Sequence, residues 1–335
     1  MRRIGPWCLG FTLAACAAEP TGVTAAPEPV LAPAVAPAPA PTPVAEVAAA
    51  PTLQHVTVAA DDGHPLAVHF KRPAIIKAAL LLVHGRTWSG LPDFDLQVPG
   101  ESVSLMDALA AAGIAAYAVD LRGYGATPRD ATGFTTPRRS AADVAAVLKH
   151  IAADAKVQPH VLGWSMGALV TTLMAQTRPE LAAGVVLYGY PCRTSKPSGP
   201  RGPEPTNPAK VTNTAASAAS DFITPGSVSK AVIDGFVAAA LQADPVKADW
   251  RGGGEWEVLD FELLKMPVLV IHGERDPVTS HRCMADHFIK IKGVDRRWQI
   301  LMGGDHAAHL ERTAFTPAVI DFVLAAKIEV SRAGG

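Results

Sequence analysis

The stretch Gly163-Trp164-Ser165-Met166-Gly167 decides how this chain is read. An apolar run at 157–162 leads into it and reads as a strand; residues 168–174 lead out of it and read as a helix. At such a junction the two glycines permit a sharp turn that lifts a serine hydroxyl clear of the backbone. G-x-S-x-G alone is a frequent chance match. Here two further segments follow at the ends of later predicted strands. Asp276 comes after 266–271, and Gly304-Asp305-His306 comes after 297–301.

Outward from that turn, strands and helices alternate. Residues 54–60 and 66–71 read as strands joined by the hairpin turn Asp61-Asp62-Gly63. The continuous apolar run 79–83 predicts a strand buried on both faces. Helix 102–112 stops at Gly113 before strand 114–119, and helix 140–153 precedes the serine turn. Strand 184–187 follows it, and a helix over 317–327 ends the pattern. This order predicts an α/β fold: a mostly parallel, eight-stranded sheet with helices on both faces. One region breaks the alternation. Residues 192–260 are rich in Pro, Gly and Ser, then carry helical stretches at 209–222 and 228–242, and read as a small helical cap.

Five segments in this order carry a resemblance. They are Leu82-Val83-His84-Gly85, Asp120-Leu121-Arg122-Gly123-Tyr124-Gly125, the serine turn, His272-Gly273-Glu274-Arg275-Asp276-Pro277-Val278, and Gly303-Gly304-Asp305-His306. Together they resemble the serine-hydrolase branch of the α/β-hydrolase superfamily, over almost the whole chain after residue 52. The resemblance implies Ser165 as nucleophile, His306 as base and Asp276 as the acid that orients it. It also implies an oxyanion hole made by the backbone N–H groups of Arg86 and Met166.

The residues leave rivals open. His309 competes with His306 because Asp305 interrupts the usual glycine-then-histidine loop; His309 is expected one turn into the next helix. Glu274 competes with Asp276. Thr87, Trp88 and Trp164 are pocket candidates, His84 and His272 are expected to shape strand-end turns, and Asp93 and Asp95 are expected in a solvated loop.

The implied activity is carboxylic ester hydrolysis through an acyl-enzyme, of carboxylesterase or lysophospholipase type. Peptidase or amidase, carbon–carbon hydrolase and acyltransferase chemistry share the same triad. The alternative outside enzymology is a tethered envelope-binding protein. No three-glycine run marks the 84–88 loop, and serine instead of aspartate at the turn argues against dehalogenase and epoxide-hydrolase chemistry. With neither metal-ligand spacing nor a dinucleotide fingerprint, no cofactor and no metal are implied.

The N-terminus reads as a targeting segment. Arg2 and Arg3 precede a short apolar core at 4–15, and Leu13-Ala14-Ala15-Cys16 resembles the lipobox of bacterial lipoproteins, with Cys16 the lipidated residue. Residues 1–15 are then a signal peptide, 16–51 an Ala/Pro-rich tether, and 52–330 the hydrolase domain. Fully extended, such a tether reaches on the order of 100 Å at ~3.1 Å per residue. The expected location is the bacterial cell envelope, on a lipid-anchored membrane. Expected partners are that membrane and a small-molecule ester or lipid-like substrate. A formal net charge of −1 in 335 residues offers no electrostatic case for nucleic acid. Cys192 and Cys283 would stand in an oxidising compartment, as a disulfide or as two buried thiols.

Overall fold

The computed structural model describes residues 51–192, 203–293, 295–311 and 314–325. The chain divides into a unit of 1–47 and a unit of 48–335. The segment expected as a signal peptide, Cys16 and nearly all of the expected tether fall outside the described residues.

An antiparallel hairpin opens the fold, β1 (Gln54–Ala59) against β2 (Pro65–Lys71), turning at Gly63 with φ +82°. β3 (Ala78–Val83) follows, buried at every position. Its residues alternate between the two faces of the sheet. Ala79, Leu81 and Val83 pack in one apolar cluster with Leu148; Ala78, Leu80 and Leu82 pack in another with Leu109 and Val323.

The short α1 (Gly90–Phe94) and α2 (Leu105–Ala111) lead to β4 (Ile114–Val119), and β5 (Phe134–Thr135) precedes α3 (Pro137–Ala155). α3 begins three residues before the expected start at 140. Thr136 accepts a hydrogen bond from the N–H of Arg139 at 3.3 Å, and Pro137 occupies the first turn, where its missing N–H costs nothing. β6 (His160–Trp164), α4 (Met166–Thr177) and β7 (Val185–Tyr188) complete the centre. The sheet order is β1-β2-β4-β3-β6-β7 and then two later strands, described next.

After β7 come α5 (Ala215–Ala219), α6 (Lys230–Ala243) and β8 (Asp249–Trp250), which pairs with β5 as a two-stranded ribbon. β9 (Val268–Gly273), α7 (His281–Phe288), β10 (Arg296–Leu301) and α8 (Phe315–Ala325) finish the fold. β7, β9 and β10 run parallel at the second edge, so the eight-stranded, mostly parallel sheet is as expected. Among the described residues, no helix is long and apolar enough to cross a membrane.

The helix expected at 209–222 shrinks to α5. Ahead of it, Thr212 bridges to Val246 and the Asp249 carboxylate accepts the N–H of Ala209 at 2.9 Å. Thr214 then caps α5 by accepting the N–H of Ser217 at 3.1 Å. These partners hold the backbone of 209–214 outside a helix, with Lys210 at φ +50°, and its β-branched residues disfavour a helix there. α6 packs Val232, Phe236 and Ala240 against Trp88, Leu96 and Val103, seating the helical insertion over the loop that follows β3.

Cys192 and Cys283 form a disulfide, with Cα atoms 5.7 Å apart, so the free-thiol reading is set aside. The bond ties the start of the insertion to α7 and closes a loop of 91 residues. A loop of that length corresponds to about 4–5 kcal/mol of unfolded-state entropy in the chain-entropy account.

Candidate active site

Ser165 sits between β6 and α4 with φ +53°, a conformation that side-chain-bearing residues rarely adopt. Its N–H donates to Tyr188 O at 2.8 Å and its carbonyl accepts from Ala168 at 2.9 Å, which holds the strained turn. Two close approaches make this geometry possible. A Cβ on Gly163 would lie 2.2 Å from Gly167 O, and one on Gly167 would lie 2.3 Å from Val83 O.

The parallel strands β9 and β10 bring the acid and the histidine to the same end of the sheet. His306 Nδ1 lies 2.8 Å from Asp276 Oδ2. Asp276 also accepts the N–H of Val278 at 2.8 Å and the hydroxyl of Thr279 at 3.1 Å. Burial works against its charge, but the hydrogen bond and charge of His306 outweigh it and hold the carboxyl below its ordinary range. For His306, burial disfavours the imidazolium, yet the hydrogen bond and charge of Asp276 prevail and raise it. An ionised carboxylate only accepts, so Nδ1 carries the proton and Nε2 keeps its lone pair.

Ser165 and His306 line one 200 Å³ cavity with Arg86, Thr87, Trp88 and Trp164. A larger 630 Å³ cavity runs along β1 and α3 and includes none of Ser165, Asp276 or His306. Neither the N–H of Arg86 nor that of Met166 has a protein acceptor among the described residues. Both flank the serine, and Met166 opens α4, where helix N–H groups are unpaired by construction.

The rivals fall elsewhere. His309 lies in a turn, since the next helix begins only at Phe315. It is buried between Trp164 and Tyr188, with ring centroids at 4.6 and 5.6 Å, and burial pushes its pKa down to about 3. Glu274 instead accepts the N–H of Gly303 at 2.9 Å. Trp164 both packs beneath the site and lines it: it stacks on Tyr188 and donates to His306 O at 2.9 Å. His84 stitches two loops, with Nδ1 2.7 Å from Gly85 O and Nε2 accepting from Leu121 N at 3.0 Å.

Asp93 and Asp95 are not solvated. Asp95 is buried with Lys71 at 2.7 Å, and Asp93 is buried with Oδ2 3.3 Å from Gly85 N. Burial pushes the Asp93 carboxyl well up.

Several site residues escaped the sequence reading because their partners are far away in the chain. Asp305 accepts the N–H groups of Ile223 and Thr224 at 3.0 and 2.9 Å, fastening the insertion to the residue beside His306. Asp244, at the end of α6, accepts the N–H groups of Ser89 and Gly125, both at 2.8 Å. Tyr124 takes the Trp250 indole N–H at 2.8 Å and donates its own hydroxyl to Arg86 O. Asp221, from the insertion, lines the cavity itself.

Replacing Asp305 with alanine leaves two part-buried backbone donors without their charged acceptor. The expected loss is about 3 kcal/mol of unfolding free energy, together with lower turnover from a displaced His306. Urea denaturation beside steady-state kinetics checks both; unchanged values would remove the fastening role.

Among the described residues one group could hold a metal ion, Cys192, Cys283 and His287, and its two sulfurs are already bonded to each other.

The site's geometry can be set beside known proteins. Residues 74–313 match the family described as serine aminopeptidase, S33. An esterase from Thermogutta terrifontis is similar in structure, at 18% identity and TM-score 0.58, over 82% of this chain and 99% of that one. So is a hydrolase from Pseudomonas aeruginosa, at 21% identity and TM-score 0.59, over 80% and 97%. A thioesterase domain from the curacin biosynthetic pathway shows 16% identity and TM-score 0.55, over 82% and 99%. At such identities these likenesses speak for the fold alone. No curated protein matches the chain. Because the family match spans well over half of the sequence, the chain belongs to the serine aminopeptidase S33 family of α/β hydrolases.

Proposed function

We propose that this hydrolase cleaves carboxylic esters through an acyl-enzyme formed on Ser165. The observation that carries the reading is the His306–Asp276 pair at 2.8 Å, opening on the cavity that holds the strained serine. Ser165 Oγ attacks the ester carbonyl as its proton passes to His306 Nε2. The N–H groups of Arg86 and Met166 receive the developing oxyanion. His306 then gives the proton to the departing alkoxide, leaving Ser165 acylated. Water repeats the sequence in reverse, its proton passing through His306 back to Ser165. Anchoring through Cys16 in a bacterial envelope belongs to the same proposal, supported by Leu13-Ala14-Ala15-Cys16.

The pH dependence follows in sign. Activity needs neutral His306, so kcat/KM falls as pH drops through its raised pKa. The acid limb is expected above 6.5, the ordinary value. It is expected to move to lower pH in Asp276→Asn, where the raising charge is gone. A limb unmoved by that substitution would separate it from the pair.

Amide or peptide hydrolysis is the second reading, favoured by Asp221. Its carboxylate lines the cavity with Ser165, where it would pair with a substrate amine. Hydrolysis rates on p-nitrophenyl esters and on aminoacyl p-nitroanilides decide between the two. Faster turnover of the anilides would displace the ester reading.

A further inference from the structure

Beside the 200 Å³ cavity lies a second chamber of 340 Å³. Arg86 lines both, and Met166, the residue after the nucleophile, lines the second. A carbonyl held between the N–H groups of these two residues would have this chamber open to one of its substituents. The other substituent stays beside Asp221.

The chamber's walls have a distinct chemistry. Trp250 and Trp256 face it with their rings 6.2 Å apart and 28° from parallel. Trp250 is fixed by its hydrogen bond to Tyr124, and the β5–β8 ribbon holds its backbone. Both indoles are half-buried, so each offers apolar surface without being consumed by the core.

Arg86 and Arg251 contribute two guanidinium groups. Neither has a carboxylate partner among the described residues; Arg251 lies over the Phe134 ring at 4.8 Å. The chamber's acid, Glu204, is engaged by Gly252 N at 2.8 Å. Among the described residues, two cations against one anion leave a positive chamber. An alkyl chain placed there would cover guanidinium groups without pairing them, which is costly. A flat ring bearing a carboxylate stacks on indole and pairs with guanidinium at once.

We propose that this chamber is a subsite for an aromatic carboxylate, carried on either the acyl or the alcohol side of the scissile ester. The inference rests on the ester reading above. It predicts that the cleft sorts substrates by charge, with the anionic ring toward Arg251 and away from Asp221.

The test uses the full chain and two matched ester pairs. One is 4-acetoxybenzoate against 4-acetoxybenzamide; the other is monomethyl terephthalate against methyl 4-carbamoylbenzoate. In at least one pair the carboxylate is expected to have about tenfold or greater kcat/KM, as a charge-assisted pair implies. In Arg251→Gln that ratio is expected to fall to near one, and in Trp256→Leu both members of the pair are expected to slow by about threefold or more.

Ratios near one in an enzyme that hydrolyses all four esters would overturn the subsite and leave the ester reading standing. If a folded protein hydrolyses none of them, the ester reading fails and the chamber is judged by binding. Tryptophan fluorescence then follows titration of Ser165→Ala with 4-hydroxybenzoate and 4-hydroxybenzamide. Preferential binding of the benzoate, lost on adding Arg251→Gln, supports the subsite; equal binding overturns it.

Discussion

Asp276→Asn is expected to lower kcat/KM by about 10⁴-fold while the protein stays folded, the scale reported for the equivalent change in serine proteases. The argument is about a proton. Asp276 accepts from His306 Nδ1 at 2.8 Å, from Val278 N at 2.8 Å and from the Thr279 hydroxyl at 3.1 Å. Asparagine keeps the Val278 contact by placing its amide oxygen at the Oδ1 position, which puts its NH₂ at the Oδ2 position, facing His306 Nδ1 and the Thr279 hydroxyl. That NH₂ donates, so His306 must present a bare Nδ1 and carry its proton on Nε2. A protonated Nε2 cannot take the serine's proton. The loss should fall mainly on kcat, since Asp276 is buried beneath the histidine and does not line the cavity. A loss below about tenfold, with circular dichroism unchanged, would mean that His306 is not the working base.

Gly167→Ala is expected to destabilise the fold by more than about 4 kcal/mol, the range reserved for backbone clashes that cannot relax. The added Cβ would meet Val83 O at 2.3 Å and His84 O at 2.5 Å. Val83 ends β3, which is paired on both sides by β4 and β6 and cannot retreat, and His84 follows it directly. Gly63→Ala is the control. Gly63 has positive φ, +82°, unlike the helical Gly167, but nothing lies within 4 Å of a Cβ there. Its cost should be only about 1 kcal/mol of backbone strain. Chemical denaturation of the two variants separates close approach from conformational strain. Equal destabilisation would show that the serine turn does not depend on its proximity to β3.

What could be read beforehand was whatever the chain writes locally. The strand-turn-helix at 157–174, the buried run of β3 and the alternation of elements all carry their signal within a few residues. Interactions between distant elements carry none. Asp93 and Asp95 look solvated in a loop broken by Pro92, Pro99 and Gly100. Nothing nearby announces that Lys71 pairs with Asp95 from β2, or that Asp93 turns inward to Gly85. Asp305 looked like an interruption of a glycine-histidine loop, yet its carboxylate fastens residues 223 and 224. Helix propensity likewise misjudged 209–214, because Asp249 and Val246 claim that backbone from outside the segment. The candidate triad is visible as three residues in order, whereas the 2.8 Å pair and the aromatic bed of Trp164 and Tyr188 beneath it arise only in the fold.

The most direct measurement is labelling of the purified chain with a fluorophosphonate, read by mass spectrometry of the intact protein and of its peptides. An activated serine hydrolase predicts one adduct per chain, on Ser165, absent in Ser165→Ala and formed at least about 10³-fold more slowly in His306→Ala. An adduct elsewhere, or none on a folded protein at saturating probe, would contradict the account and favour a binding protein built on the same fold.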